Sequence, residues 1–132
     1  MGIITLNEAV PTTGDHSVNV YANLPTAGFV DLLPNKAAVD LVGYGVQVQV
    51  TGGGLPPRLR WTGPRVRLLA PSEFVSGKFT PSENFMKIAL NASKGAGGTC
   101  FGDSGGPILD DGTATVLAVN SRVTNNNCSG VG

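Results

Sequence analysis

Turn-forming residues divide the whole chain into short segments. The sequence holds 19 glycines and 9 prolines among 132 residues, and apolar residues occur between them in runs of only a few positions. Glycine and proline weaken helices at interior positions and favour turns. Helical proteins also carry more Ala, Leu, Glu and Lys than this chain does. The sequence therefore predicts an all-β protein of short strands joined by tight turns.

Apolar residues at alternating positions, bounded by turn residues, mark the candidate strands. Residues 107–109 and 113–120 are expected to pair as a hairpin across Asp110-Asp111-Gly112, and a short helical turn is expected near Ser72. Roughly six to eight short strands at close spacing are typical of a small barrel or sandwich. The other segments predicted to be extended are residues 3–6, 18–21, 29–33, 38–42, 46–50, 59–61, 65–69 and 85–90.

Length and charge exclude several classes of protein. A chain of 132 residues is long enough for one modest core and too short for two full domains. Nine basic and nine acidic residues give a net charge of zero, so no basic surface is available for nucleic acid. No apolar run approaches the ~20 residues of a transmembrane helix. No metal ligands and no cofactor are assigned.

The two cysteines, Cys100 and Cys128, lie in loops rich in glycine and asparagine. They are either two buried thiols or a disulfide, and loops of this kind favour the disulfide, which would stabilise the fold by about 3–4 kcal/mol. A disulfide indicates an oxidising compartment. The N-terminus has neither the basic start nor the apolar core of a signal peptide. We therefore expect a secreted protein whose export signal lies outside this sequence, in a longer precursor.

The run Gly-Asp-Ser-Gly-Gly-Pro at residues 102–107 holds one hydroxyl, that of Ser104, among three glycines. Glycines allow sharp turns and a close approach of the backbone to a ligand. Acyl transfer needs a nucleophilic oxygen together with N–H donors aimed at the charge that develops on the attacked carbonyl. The run therefore indicates a nucleophilic serine beside exposed backbone N–H groups.

This run resembles the active-site segment of the trypsin-like (chymotrypsin-fold) serine peptidases. Residues 42–45, Val-Gly-Tyr-Gly, are similar to the glycine-aromatic-glycine strand near the start of that family's second barrel. Residues 3–11 resemble the end of its first barrel. The resemblance implies an antiparallel six-stranded-type barrel over residues 37–132. Residues 1–36 would be the last strand of the first barrel and the linker.

The resemblance assigns roles around the serine. Ser104 would be the nucleophile, and the N–H groups of Gly102 and Ser104 would form the oxyanion hole. Asp103 would pair with the amino group that is freed when a pro-segment is removed; its alternative is a turn residue bonded to its own backbone. A disulfide between Cys100 and Cys128 would brace the specificity pocket, and the substrate would be a peptide or protein.

The resemblance also places the specificity pocket, where this sequence departs from the family. Trypsin-like cleavage after Lys or Arg uses an aspartate at the position of Gly98, so a small or apolar side chain is expected at the cleavage site. The family's serine-tryptophan-glycine wall is replaced here by Asn120, Ser121 and Arg122.

The catalytic histidine and aspartate of this family precede the serine, and the resemblance puts both before Met1. The chain alone would then be inactive, and the missing N-terminal barrel would be its partner in the complete protein. The one histidine, His16, stands in a turn-like Gly-Asp-His-Ser, and neither Asp31 nor Asp40 lies in a matching segment. His16 is therefore expected to be a loop residue.

Three other interpretations remain open. A peptidase-like binding module without catalysis would also lack the histidine and aspartate. The lipases and esterases named for a Gly-Asp-Ser-Leu motif share the first three residues, but they are α/β proteins with the motif near the N-terminus. A glycine-rich loop could also contain the same six residues without any function.

Overall fold

The structure, a computed structural model, describes residues 3–15, 17–53, 58–75, 84–91, 97–128 and 130–132. These residues are mostly strand and irregular structure, which confirms the all-β prediction. The one helix among them is a single 3₁₀ turn, and no helix there is long and apolar enough to cross a membrane. The elements are a 3₁₀ helix at Val30–Leu32 and the strands β1 Ala38–Gly43, β2 Val48–Gly52, β3 Arg58–Thr62, β4 Leu68–Glu73, β5 Ala89–Leu90, β6 Pro107–Asp110, β7 Val116–Val119 and β8 Gly130–Val131.

The strands form three antiparallel sheets. The largest has the order β4-β1-β6-β7, and two-stranded sheets pair β2 with β3 and β5 with β8. In the large sheet Leu41 of β1 lies opposite Ala70 of β4 on one side and Ile108 of β6 on the other. Within the described ranges these sheets do not close into a barrel. The antiparallel arrangement is therefore confirmed, whereas the six-stranded barrel is not seen.

A small apolar core lies on one face of the large sheet. Val39 and Leu41 alternate along β1 with more exposed neighbours, as expected for a strand with one buried face. Burial of such side chains stabilises the fold by about 1.5–3 kcal/mol each. The core residues are Val39, Leu41, Ile88, Leu90, Ile108 and Leu117.

The predicted hairpin is confirmed. Strands β6 and β7 pair antiparallel, with Pro107 opposite Val119. Thr113 donates its N–H to the Asp110 carbonyl at 2.9 Å, which closes the turn. Gly112 in that turn has a φ of 66°, a left-handed conformation that favours glycine.

The helical turn expected near Ser72 is wrong, and so is the placement of a strand over residues 65–69. The strand β4 runs from Leu68 to Glu73, straight through Pro71 and Ser72. Proline has no N–H to donate, but β4 is an edge strand of the large sheet, where a proline is tolerated. The Ser72 hydroxyl donates to the Ala89 carbonyl of β5, so it joins two strands instead of capping a helix.

Residues 29–33 were expected to be extended and instead form the 3₁₀ turn. Two hydrogen bonds between residues three apart close it, from Leu32 to the Phe29 carbonyl and from Leu33 to the Val30 carbonyl. The turn places Val30 and Leu33 against the core while Leu32 stays exposed. An apolar run alone does not distinguish these conformations, because both can bury part of it.

Other predicted strands are shorter or shifted. Residues 3–6 and 18–21 form no strand; Asn23 instead makes a single parallel bridge to Thr115. The strand predicted at residues 46–50 is shifted to Val48–Gly52, and the one at residues 85–90 is reduced to Ala89–Leu90, preceded by a bridge at Ile88.

Candidate active site

The loop that carries Ser104 consists of two successive turns leading into β6. Asp103 donates its N–H to the Cys100 carbonyl at 3.2 Å, and Gly106 donates to the Asp103 carbonyl at 2.9 Å. Gly102 and Gly105 have φ values of 101° and 88°, which side chains with a Cβ rarely adopt. The glycines on both sides of the serine are therefore required by the backbone path.

The loop is fixed to the end of β7. Gly105 donates its N–H to the Asn120 carbonyl at 2.8 Å, and the Asn120 N–H donates back to the Gly106 carbonyl at 2.8 Å. This reciprocal pair extends the β6–β7 hairpin beyond its last strand residues. As a result, Ser104 is held between a tight turn on one side and a strand on the other.

Ser104 itself is exposed. Its Oγ lies 3.4 Å from the Ser121 carbonyl, a distance at the weak limit for a hydroxyl hydrogen bond. The hydroxyl is thus free to approach a ligand at the surface. His16 lies outside the described residues, and Asp40 accepts a hydrogen bond from Gly112 at the hairpin turn. The described part of the chain places no histidine beside Ser104, and the nearby carboxylate of Asp103 accepts two backbone N–H groups.

Two backbone N–H groups flank Asp103. Within the part of the chain that the structure describes, the N–H groups of Gly102 and Ser104 have no hydrogen-bond acceptor. Backbone donors without a partner are what an oxyanion hole requires before substrate binds. The structure therefore leaves unpaired the two donors that the sequence assigned to this role.

The carboxylate of Asp103 is held by two backbone donors. Gly45 donates its N–H to Oδ1 at 2.7 Å, and Cys100 donates its N–H to Oδ2 at 2.8 Å. The bond from Cys100 is local, as in the turn-residue alternative, whereas the bond from Gly45 reaches across the fold. The carboxylate therefore joins the serine loop to the segment that follows β1.

The glycine-aromatic-glycine run at residues 42–45 packs directly on this carboxylate. A Cβ at Gly43 or at Gly45 would overlap the Asp103 side chain. The sequence analysis singled out the run but gave no physical reason for its glycines. Two glycines directly after a strand were the available signal that another group comes close to the backbone there.

A cleft of about 190 Å³ opens beside Ser104. Three of the four predicted pocket residues, Asn120, Ser121 and Arg122, line it. The fourth, Gly98, lines a neighbouring cavity of about 350 Å³ and does not line this cleft. The remaining residues of the cleft wall, which the sequence analysis did not assign to a pocket, are Thr99, Cys100, Phe101, Asp103 and Val123.

The predicted disulfide is present between Cys100 and Cys128, whose Cα atoms are 5.2 Å apart. It joins the start of the serine loop to the segment that follows the cleft wall. Trp61 of β3 supports the same region: its indole N–H donates to the Asn126 carbonyl at 3.2 Å, and its ring meets that of Phe101 edge-on at 6.2 Å. Trp61 thus attaches Phe101 of the cleft wall, and Asn126 near Cys128, to strand β3.

No match was found when the chain was compared with protein-family models, with curated proteins and with solved structures. The resemblance to trypsin-like peptidases therefore rests on the residues quoted from the sequence. The second basis for a functional interpretation is the position of Ser104 beside the cleft and the two backbone N–H groups.

Proposed function

We propose that this chain carries the nucleophile and oxyanion hole of a trypsin-like serine endopeptidase. Ser104 attacks the peptide carbonyl, and the N–H groups of Gly102 and Ser104 stabilise the oxyanion. The histidine and aspartate that activate the serine lie outside these 132 residues. By itself the chain is inactive.

One observation carries this proposal: the exposed Ser104 hydroxyl lies at the edge of a cleft, next to two backbone N–H groups without acceptors in the described structure. Because Gly102 and Ser104 are both exposed, a ligand in the cleft could reach these donors. Each donor of an oxyanion hole lowers the barrier by roughly 3 kcal/mol. The arrangement is suited to carbonyl chemistry.

The proposed reaction proceeds through an acyl-enzyme. The Ser104 oxygen forms a bond to the carbonyl carbon while its proton passes to the histidine. The tetrahedral intermediate collapses, the C–N bond breaks, and the histidine proton goes to the leaving amine. Water then attacks the ester carbonyl while the histidine takes its proton. The histidine returns this proton to the Ser104 oxygen as the ester C–O bond breaks, which releases the acid and the free serine.

We place these residues in the second barrel of the complete enzyme, with residues 37–132 as the barrel and residues 1–36 as the last strand of a preceding barrel and its linker. One contact between two of the sheets supports a continuous barrel: Phe74, next to β4, bridges to Ile88, next to β5. The loop before β2 also contacts the serine loop, where Val46 donates its N–H to the Phe101 carbonyl. The side chains of Ile3, Ile4 and Leu6 are largely exposed. The preceding barrel would cover them.

We also propose that the complete protein is secreted. The disulfide between Cys100 and Cys128 supports this, because such bonds persist in oxidising compartments and are rare in the cytosol. Its substrates are peptides or proteins outside the cell.

Labelling with a fluorophosphonate tests the function. The polypeptide encoded by the complete reading frame is expected to be labelled at Ser104, and Ser104→Ala abolishes the label. Ser17→Ala, at a serine far along the chain from the motif, serves as the matched control and retains it. The 132-residue chain alone is expected to stay unlabelled, because no base removes the serine proton.

A peptidase-like binding module is the second candidate, favoured by the lack of a histidine beside Ser104 among the described residues. This alternative predicts that the complete polypeptide also resists the fluorophosphonate and has no histidine and aspartate in matching segments. Labelling at another residue would equally contradict the proposed enzyme.

A further inference from the structure

Among the residues that the structure describes, Arg122 is the one cationic side chain that lines the cleft beside Ser104. Its guanidinium carbon lies 5.6 Å from the centroid of the Phe85 ring, a cation–π contact that positions the group. Within the described ranges no carboxylate lies within ion-pairing distance of it. Among the described residues the guanidinium therefore has an aromatic neighbour and no anionic one, and its planar N–H groups suit a carboxylate well.

Among the described residues of the cleft wall, Asp103 carries the one carboxylate, and it forms no ion pair with Arg122. Both oxygens of Asp103 accept backbone N–H groups, from Gly45 and from Cys100. A lysine or arginine side chain entering the cleft would therefore meet Arg122 and no free acid. Like charges repel, so the Arg122 guanidinium disfavours a basic ligand in this cleft.

Two further polar side chains of the wall are buried. Asn120 is buried, and its Nδ2 has no acceptor in the described structure. Thr99, also buried, adds a hydroxyl to the same wall. Because Nδ2 is fully buried, the polar groups of the wall that a ligand can reach are those of the exposed residues Ser104, Ser121 and Arg122.

From the exposed cationic side chain of Arg122 in this wall we infer that the cleft binds an acidic side chain, aspartate or glutamate, next to the peptide bond attacked by Ser104. Arg122 is the specificity-determining residue. This inference rests on the proposed function and names its substrate class. It replaces the expectation of a small or apolar side chain, which depended on Gly98, a residue that lines the neighbouring cavity instead.

The test uses four peptide substrates that differ only in the residue before the cleaved bond: Glu, Gln, Leu or Lys. For the complete polypeptide, kcat/KM is expected to be roughly tenfold or more higher for Glu than for Gln, because the two differ mainly in charge. The preference should weaken as salt is added. Lys should be the poorest of the four.

Variants assign the preference to Arg122. Arg122→Gln is expected to remove the tenfold ratio of Glu to Gln, Arg122→Lys to keep part of it, and Arg122→Glu to raise Lys above Glu. Arg67→Gln removes the same charge from an exposed position outside the cleft and should leave the ratio as it is.

Fluorophosphonate labelling in parallel separates this inference from the proposed function. If Ser104 is labelled and Glu is not preferred, or if Arg122→Gln keeps the preference, the inference is wrong and the peptidase stands. If Ser104 is not labelled and no peptide is cleaved, both are overturned.

Discussion

The backbone N–H of Gly45 donates a hydrogen bond of 2.7 Å to the carboxylate of Asp103, 58 residues further along the chain. Because Cys100 donates to the other oxygen, this single side chain connects the serine loop to the end of β1. The position of Ser104 therefore depends on its neighbour in sequence. The first two predictions concern this connection.

Replacing Asp103 should destabilise the fold. Asp103→Ala leaves two part-buried N–H groups without an acceptor, and we expect the free energy of unfolding to fall by about 2–4 kcal/mol. Asp103→Asn keeps one acceptor oxygen, so the free energy of unfolding should fall by less. Urea unfolding followed by the fluorescence of Trp61, the one tryptophan in the sequence, measures this. Asp31→Ala removes an exposed carboxylate and should change stability by no more than about 0.5 kcal/mol.

Gly45→Ala should destabilise the protein through the Asp103 carboxylate. The added methyl would overlap this group, and overpacking of this kind costs about 1–3 kcal/mol. The Asp103→Ala variant lacks the carboxylate that the methyl would overlap. Adding Gly45→Ala to that variant should therefore lower the free energy of unfolding much less. Gly53→Ala is the matched control, because its Cβ would meet nothing within 4 Å. Equal losses in both backgrounds would show that the carboxylate is not the cause.

Removing the disulfide should weaken the fold around the cleft. Cys100 and Cys128 are 28 residues apart, and replacing both by serine is expected to lower the free energy of unfolding by about 3–4 kcal/mol. Trp61 emission should also change, because its indole N–H binds the carbonyl of Asn126, close to Cys128.

Reductant supplies the control for the disulfide. It should shift the unfolding midpoint of the original chain and leave that of the doubly substituted chain unchanged. Mass spectrometry of the alkylated protein counts the thiols. Free thiols in the unreduced native protein would contradict the prediction.

The turn of the β6–β7 hairpin requires glycine for its backbone conformation alone. A Cβ at Gly112 would meet nothing within 4 Å, yet the residue has a φ of 66°. Gly112→Ala should therefore cost about 1–2 kcal/mol, which is the penalty for a left-handed L-residue. Gly112→Asn should cost less, because asparagine tolerates this region. Thermal unfolding measures both variants, and a lower melting temperature for Gly112→Asn than for Gly112→Ala would refute the explanation.

The sequence predicted best those elements that local patterns determine. The hairpin around Gly112 was identified from its turn residues, and β1 from a short strand-forming run that ends at a glycine. The 3₁₀ turn at Val30–Leu32 and the path of β4 through Pro71 depended on their neighbours in the fold. A proline marks a break until the strand is known to lie at a sheet edge.

The candidate site was predictable to a similar degree. The Gly-Asp-Ser-Gly-Gly-Pro run pointed to Ser104, whose role stays a prediction, and the loops around Cys100 and Cys128 pointed to their disulfide, which is confirmed. The contact of Gly45 with Asp103, the buried Thr99 of the cleft and the separate location of Gly98 depend on chain segments that are distant in sequence. A single sequence contains no local signal for such contacts.

The close packing at Gly98 limits how this scaffold could be re-engineered. A Cβ at this position would lie 2.8 Å from Cδ2 of Leu90 and 3.4 Å from its Cα, and Leu90 is 2% exposed. Replacing Gly98 by aspartate, to attract lysine or arginine substrates, would force the core residue Leu90 to move. Replacing Leu90 by a smaller residue would instead leave a cavity, which costs about 2–5 kcal/mol. If this chain is the peptidase proposed above, laboratory evolution of its cleavage preference should therefore change residues at the rim of the cleft, while position 98 stays glycine.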